Sequence, residues 1–356
     1  MQLSLLTHHR STLDKIIANF LLGMKDYSFD SRGDVGSWVR EASMRGIKLI
    51  MVIGKNELAK IGMGIRSDMI GFLVLACLEK IDRVRESAGK ILNFLLDDEH
   101  IAIPERAFLR LAFNSSNTES INWLSSAEVL PVMTKCLHIP SLRDLVMTGI
   151  MLNIGGLTES LVRHSTDSFN QFVSDLPSQL SPQMEPTTAQ HILESMRNVF
   201  AENIGNDRVS IPILETLDLY LSFGFLSGIN DGGPVREIFN MVKKEVFKSK
   251  NTKKLLVGIK VLTGFGSLSD DEKSDEFQSV QKLSVEKLIL YLGHPYPIIR
   301  TSSAESLYVL VSTTLISTHD PENLSLAEEL LLTFKWDSSC DDCKIARQQI
   351  TEFLAV

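Results

Sequence analysis

Cysteine is scarce in this chain, with four in 356 residues. That is too few for a disulfide framework. Cys77 and Cys136 fall inside apolar helical patterns, where a thiol serves as a small core group. Long hydrophobic runs are missing as well: the longest uncharged apolar stretch, Met69 to Leu78, is about half of what a bilayer crossing needs. The opening Met1–Arg10 segment has no extended apolar region of the signal-peptide kind. These absences set the expectation of a cytoplasmic, reducing setting with no membrane span. There the Asn114-Ser115-Ser116 and Asn323-Leu324-Ser325 sequons and the Arg32-Gly33-Asp34 tripeptide carry no extracellular meaning.

Signatures of chemistry are lacking too. There is no GxxxxGK[ST] phosphate loop, no HExxH and no GxSxG. The Gly-x-Gly pairs at Gly62–Gly64 and Gly264–Gly266 have no strand before them and read as packing or capping positions. Cys340-Asp341-Asp342-Cys343 has the spacing of half a zinc site or of a redox pair. No second Cys or His pair completes a metal site and no βαβ context supports a redox one, so it reads as a turn leading into a helix. No catalytic residue, metal site or cofactor is expected. The 36 Lys and Arg against 44 Asp and Glu leave a net charge of −8, which argues against a surface that tracks nucleic-acid phosphates. The Lys243, Lys244, Lys248, Lys250, Lys253, Lys254 cluster reads as the solvated face and end of a helix. His138, His164 and His191 sit near predicted helix ends, where capping roles are favoured.

What the chain does have is helical periodicity from end to end. Apolar residues recur at three-four spacing over Ser11–Met24, Val35–Val52, Arg66–Glu79, Val84–Leu96, Ala127–Leu137, Leu142–Leu152, Thr158–Leu176 and Ala189–Ile204. The pattern continues over Ile213–Leu226, Pro234–Lys248, Lys254–Thr263, Val280–Leu292, Ile298–Ser312, Leu324–Phe334 and Cys343–Leu354. A faint motif recurs: an apolar residue, Arg, then a small residue, at Val39-Arg40-Glu41-Ala42, Val84-Arg85 through Ala88, and Ile299-Arg300 through Ala304. Arg40 and Arg85 lie 45 residues apart, within the period of about 40–47 residues of HEAT-like repeats. In such repeats the Arg reaches an Asp near the preceding turn, and Asp34 and Asp82 are available. The expected fold is all-α, a HEAT/armadillo-like solenoid of stacked antiparallel helix pairs, because one pair cannot bury its apolar stripe alone. The Ser/Pro-rich Gln171–Thr188 stretch and the acidic Ser267–Ser274 stretch are the candidate boundaries.

Asp26-Tyr27-Ser28-Phe29-Asp30-Ser31-Arg32-Gly33-Asp34-Val35-Gly36-Ser37-Trp38-Val39-Arg40 is the densest stretch. It reads as a polar turn launching a helix at Val35. Gly33 supplies a conformation closed to other residues, Asp34 caps the helix, and Trp38, Val39 and Ala42 share one face. Trp38 is expected in the core, where truncation to Ala would cost about 3–5 kcal/mol. Tyr27 and Arg32, on the turn, are the better contact candidates.

This stretch resembles the signature that opens the C-terminal domain of the tubulin-folding cofactor D family. Pro295–Arg300 with Ala304-Glu305-Ser306-Leu307-Tyr308 is similar to that family's last well-formed repeat. Thr333–Asp337, followed by the helix of Arg347-Gln348-Gln349, resembles its tail. The resemblance implies a cofactor-D-like helical domain over residues 11–205 and further HEAT-like repeats over 206–356, the C-terminal part of a protein several times longer. It implies a non-enzymatic chaperone role: binding β-tubulin, meeting cofactors E and C and an ADP-ribosylation-factor-like small GTPase, and contributing to stimulation of GTP hydrolysis by tubulin in a cytoplasmic, microtubule-linked setting. Partner-binding candidates on this reading are Tyr27, Arg32, Asp34 and Arg40, with Gly33, Gly36, Trp38, Val39, Arg85 and Arg300 as the structural signature. The rival is a HEAT scaffold, an adaptor or regulatory subunit, unrelated to tubulin.

Overall fold

The structure, a computed structural model, describes residues 10–54, 61–114, 121–229, 231–268, 275–315 and 320–355. Most of the opening segment, of the first sequon and of the acidic Ser267–Ser274 boundary lies outside the described residues. The chain is all-α, with sixteen α-helices among the described residues. It divides into two compact units, residues 1–188 and 189–356.

The first unit holds α1 (Arg10–Gly23), α2 (Gly36–Ile53), α3 (Met63–Ala76), α4 (Asp82–Asp97), α5 (Arg106–Asn114), α6 (Ser126–Thr134), α7 (Arg143–Ile154) and α8 (Glu159–Ser174). The second holds α9 (Ala189–Glu202), α10 (Asp207–Ser222), α11 (Gly232–Val246), α12 (Thr252–Gly266), α13 (Asp275–Tyr291), α14 (Pro297–Thr313), α15 (Pro321–Thr333) and α16 (Cys340–Phe353). Helix α5 is absent from the periodicity reading. It is short and its Arg106 is turned to the previous helix, donating to the carbonyls of Leu95, Leu96, Asp98 and Ile101. Helix α10 starts six residues before the predicted Ile213, with Pro212 inside it rather than at its boundary.

Within each unit, helices pack on their next-but-one neighbours. α2 lies on α4 and α6 on α8; α10 lies on α12, α11 on α13 and α12 on α14. Two stacked layers of helices are the packing of a HEAT-type solenoid. Small residues bring next-but-one helices together. A Cβ on Gly264 would come within 2.8 Å of the Leu221 side chain, and one on Gly266 within 2.7 Å of Leu310. The Gly264–Gly266 pair is therefore a packing device. Cys77, Cys136 and Cys343 are fully buried, and Cys340 and Cys343 form the first turn of α16 rather than a turn before it.

The recurring arginine performs the same task twice. Arg85, in the first turn of α4, is buried. It donates through Nε to the Trp123 carbonyl (2.8 Å), through Nη1 to the Glu79 carbonyl (3.0 Å), and through Nη2 to the Leu124 carbonyl (2.8 Å) and the Asp82 carboxylate (2.6 Å). Arg300, in the first turn of α14, donates through Nε to the Trp336 carbonyl (2.7 Å), through Nη1 to the His294 carbonyl (2.8 Å) and through Nη2 to the Ser338 carbonyl (2.8 Å). In both copies a planar, five-donor group satisfies carbonyls of its own entry turn and of a loop more than 35 residues on. Only a guanidinium has that fork. The indole belonging to the receiving carbonyl is buried in each copy, and in the first it lies where a Cβ on Gly89 would be.

Lys254 is a related device in the second unit. The sequence reading put it with solvated lysines, but it is buried because Asp207 and Glu245 both grip its ammonium. Burial opposes the charge, yet these two carboxylates raise its pKa above the ordinary lysine value.

His138 caps no helix end by charge. It is buried, with Nδ1 3.0 Å from the Thr187 hydroxyl and its ring 4.8 Å from that of Phe172. Burial, and secondarily Arg143, lower its pKa to about 4.

Two outcomes are expected. Replacing Arg85 with Met strands two buried carbonyls and a part-buried one and lowers unfolding free energy by about 3–5 kcal/mol in urea titrations, and Lys restores only part of it. For His138 the sign follows from the lowered folded pKa. Below pH 6.5 the unfolded chain takes up a proton that the folded one refuses until pH is near 4, so stability falls as pH drops through that window. The loss is about 1–2 kcal/mol after allowing for solvent screening in the cavity beside the ring. A His138→Gln variant should lose less stability between pH 7 and 5, read as the shift in urea midpoint.

Candidate partner-binding surface

The Asp26–Arg40 stretch builds a small hairpin on top of α2. Two-residue strands β1 (Phe29–Asp30) and β2 (Gly33–Asp34) pair antiparallel, Phe29 with Asp34 and Asp30 with Gly33. Ser31 and Arg32 make the turn, and Gly33 takes φ +103°, a region that other residues avoid. Two aspartates fold the backbone back on itself. Asp26 Oδ1 accepts from the Ser28 hydroxyl (2.6 Å) and amide (2.9 Å). Asp30 accepts the Arg32 amide (2.7 Å) and, from the guanidinium, Nη2 (2.7 Å) and Nε (3.1 Å). The Ser28 hydroxyl and amide hold the Asp26 carboxyl below the usual range, and the Arg32 side chain and amide do the same for Asp30.

The hairpin is fixed from beneath. Asp34 Oδ1 accepts the Ser37 amide at 3.0 Å, the expected cap, although the helix begins at Gly36 rather than Val35. A Cβ on Gly36 would sit 2.4 Å from the Asp26 carbonyl, so this crossing of two backbones requires glycine. Arg40 is 1% exposed. Its Nη1 donates to the Asp26 carbonyl (2.6 Å) and its Nη2 to Asp34 Oδ2 (2.8 Å). Nε lies 3.0 Å from Glu79 Oε1, and the Tyr27 ring centroid is 4.2 Å from Cζ. Burial works against the charge, but Asp34 and Glu79 outweigh it and raise the Arg40 pKa. The neighbouring Glu41 carboxylate, also buried, pairs with Arg83 of α4 and with Arg45.

Trp38 does not enter the core. It is 53% exposed, and Val39 and Ala42 are exposed with it. The buried face of α2 is instead Ser37, Arg40, Glu41, Ser43, Met44, Ile47 and Met51. The Arg32 guanidinium stands 5.4 Å from the Trp38 ring centroid, and Phe29, on β1, is 78% exposed. Trp, Tyr and Arg dominate the energetics of protein–protein contacts, and here a Trp and an Arg are carried on a locked frame. Of the sequence-selected residues, Arg32 and Trp38 therefore share the surface. Tyr27 is half-buried against Arg40, and Asp34 and Arg40 are the scaffold beneath. Arg85 and Arg300 lie elsewhere, in the helix-entry clamps.

Sequence reasoning missed Phe29 and Glu79. The first had no signal beyond its place in the hairpin. The second had one: Glu79 follows Arg40 by 39 residues, close to the interval at which Arg85 and Arg300 reach their tryptophan carbonyls. Among the described residues no group of three or more His, Cys, Asp or Glu could hold a metal, and no helix is long and apolar enough to cross a membrane.

The geometry inverts the expected ranking of two substitutions. Trp38→Ala should cost less than about 1 kcal/mol, whereas Arg40→Ala, which removes the cation that Asp34 and Glu79 face and the donor to the Asp26 carbonyl, should cost about 3–5 kcal/mol. Paired denaturant titrations check both.

Comparison with known proteins agrees with this architecture. The family described as tubulin folding cofactor D C terminal matches residues 67–254, more than half of the chain; the hairpin precedes the matched region. The tubulin-specific chaperone D of Dictyostelium discoideum is 24% identical over 345 residues, covering 90% of this chain. The chain spans 23% of that relative's length. The chain belongs to the tubulin folding cofactor D C-terminal family.

Proposed function

We propose that this chain is a docking portion of a tubulin chaperone, without catalytic chemistry of its own, working in the cytoplasm on the tubulin heterodimer. On this reading the Arg32–Trp38 surface, with Phe29 nearby, contacts β-tubulin. Cofactors E and C and an ADP-ribosylation-factor-like GTPase meet the same protein, and the assembly stimulates GTP hydrolysis by tubulin using groups that lie outside this chain. The supporting observation is an exposed indole on α2 beneath a guanidinium on the hairpin turn, with the hairpin immobilised by a buried arginine. A match to a tubulin-specific chaperone over 90% of the chain supplies the partner class. With a net charge of −8, bulk attraction does not drive contact with another acidic protein, so local anchors must.

The test is co-purification of β-tubulin with the tagged chain. Arg32→Glu and Trp38→Ala should each reduce captured β-tubulin by about tenfold or more, as expected for a contact hot spot. Melting temperatures should stay within about 2–4 °C of the parent, as expected for a change near 1 kcal/mol. Undiminished capture by both folded variants, or no capture by the parent chain, overturns the assignment.

A further inference from the structure

In the second unit, two lysines stand over one exposed ring and a third lies beside them. Helices α11 and α13 pack together. α11 carries Lys243 in its last turn, and the chain leaves through Phe247 and Lys248. Phe247 is exposed. The Lys248 ammonium is 5.1 Å from its ring centroid and the Lys287 ammonium, from α13, is 5.8 Å from it. Lys287 is also 5.4 Å from the Tyr291 ring, and Lys243 is 5.7 Å from Phe239. Lys248 holds φ +55°, a left-handed conformation in which glycine or asparagine is usual.

None of these three ammoniums forms an ion pair among the described residues, while nearby Lys253 pairs with Glu215 and Lys254 with Asp207 and Glu245. Favourable interaction with the helix C-terminus accounts for Lys243. It does not account for Lys287, which is half-buried and stands a turn inside α13. Burial, then the like charge of Lys243, lower the Lys287 pKa. The buried Tyr291 hydroxyl has no hydrogen-bond partner among the described residues. A protein with more acids than bases thus leaves three cations without an ion-pair partner among the described residues, two of them over an exposed apolar ring.

We infer that this face binds an acidic peptide segment, its carboxylates pairing with Lys243, Lys248 and Lys287 and an apolar side chain resting on Phe247. Lysines suit carboxylates as point charges, and cation–aromatic contact holds the Lys248 and Lys287 ammoniums over the Phe247 ring. A nucleic acid would require a longer track of phosphate-neutralising residues, which three lysines do not make. The assignment is independent of the tubulin reading, since it uses different residues in the other compact unit.

The experiment is fluorescence anisotropy of the full chain with a fluorescein-labelled glutamate decapeptide bearing one central phenylalanine. A labelled oligothymidylate of equal charge serves as the comparison. Saturable, salt-sensitive peptide binding is expected. Lys287→Met and Phe247→Ser should each weaken it at least about fivefold, and Lys253→Met, which removes a lysine already paired, should leave it unchanged. Phe247 is exposed, so its variant keeps the test valid if Lys287→Met alters folding. Absence of peptide binding, equal weakening by Lys253→Met, or tighter binding of the oligothymidylate overturns the inference.

Discussion

A buried guanidinium at the start of a helix is the interaction on which this chain's construction depends. Loops between stacked helices present carbonyls that no helix or sheet can satisfy, and an unpaired buried carbonyl costs about 1–3 kcal/mol. Arg85 and Arg300 each collect several of them from two loops at once. The cost of burying the charge is offset because each guanidinium makes four hydrogen bonds, and because one group ties two turns that are far apart in sequence. Connecting loops can then vary while the helix-entry points stay fixed.

Arg40 is the same device with one substitution in its surroundings. Where Arg85 and Arg300 meet backbone carbonyls on the far loop, Arg40 meets the Glu79 carboxylate. Glu79 is also the residue whose carbonyl accepts from Arg85, so the two clamps are joined through a single residue. The hairpin above Arg40 inherits this fixity: Asp26, Asp34 and Gly36 are all held within one hydrogen-bonded network. A surface whose anchors are already ordered loses less side-chain entropy on meeting a partner. That is the physical reason an arginine with no outward exposure belongs to the same functional unit as Arg32 and Trp38.

Much of this was legible in the sequence, and what was not has a specific cause. The Arg–Asp pairings at Arg40–Asp34 and Arg85–Asp82 followed from the repeat motif, and Gly33 followed from turn chemistry. Trp38 was misjudged because periodicity groups Trp38, Val39 and Ala42 on one face without saying which way that face points. Apolar content suggested inward, yet the inward face of α2 carries Arg40 and Glu41, residues that ordinarily mark a solvated face. Lys254 was misjudged for the same reason: a charge buried by two carboxylates looks, in one dimension, like its solvated neighbours. Helix α5 escaped because nine residues give a three-four pattern little room, and α10 was cut short because its predicted start, Ile213, follows Pro212, a residue that helix interiors disfavour.

Lys254 shows the direction of the error. A charge whose partner Asp207 lies 47 residues back along the chain was treated as water's concern. In a repeat protein that distance is one repeat, so long-range ion pairs should be sought at the period before they are assigned to solvent. The converse carries equal weight. A charge that remains unpaired once the period has been searched, and that is nonetheless half-buried against aromatic rings, has been placed at a desolvation cost that the fold itself does not recover. Arg40 and Lys254 satisfy the first condition and are structural. Lys287 meets the second, and a partner from outside the chain is then the physical means of recovering that cost.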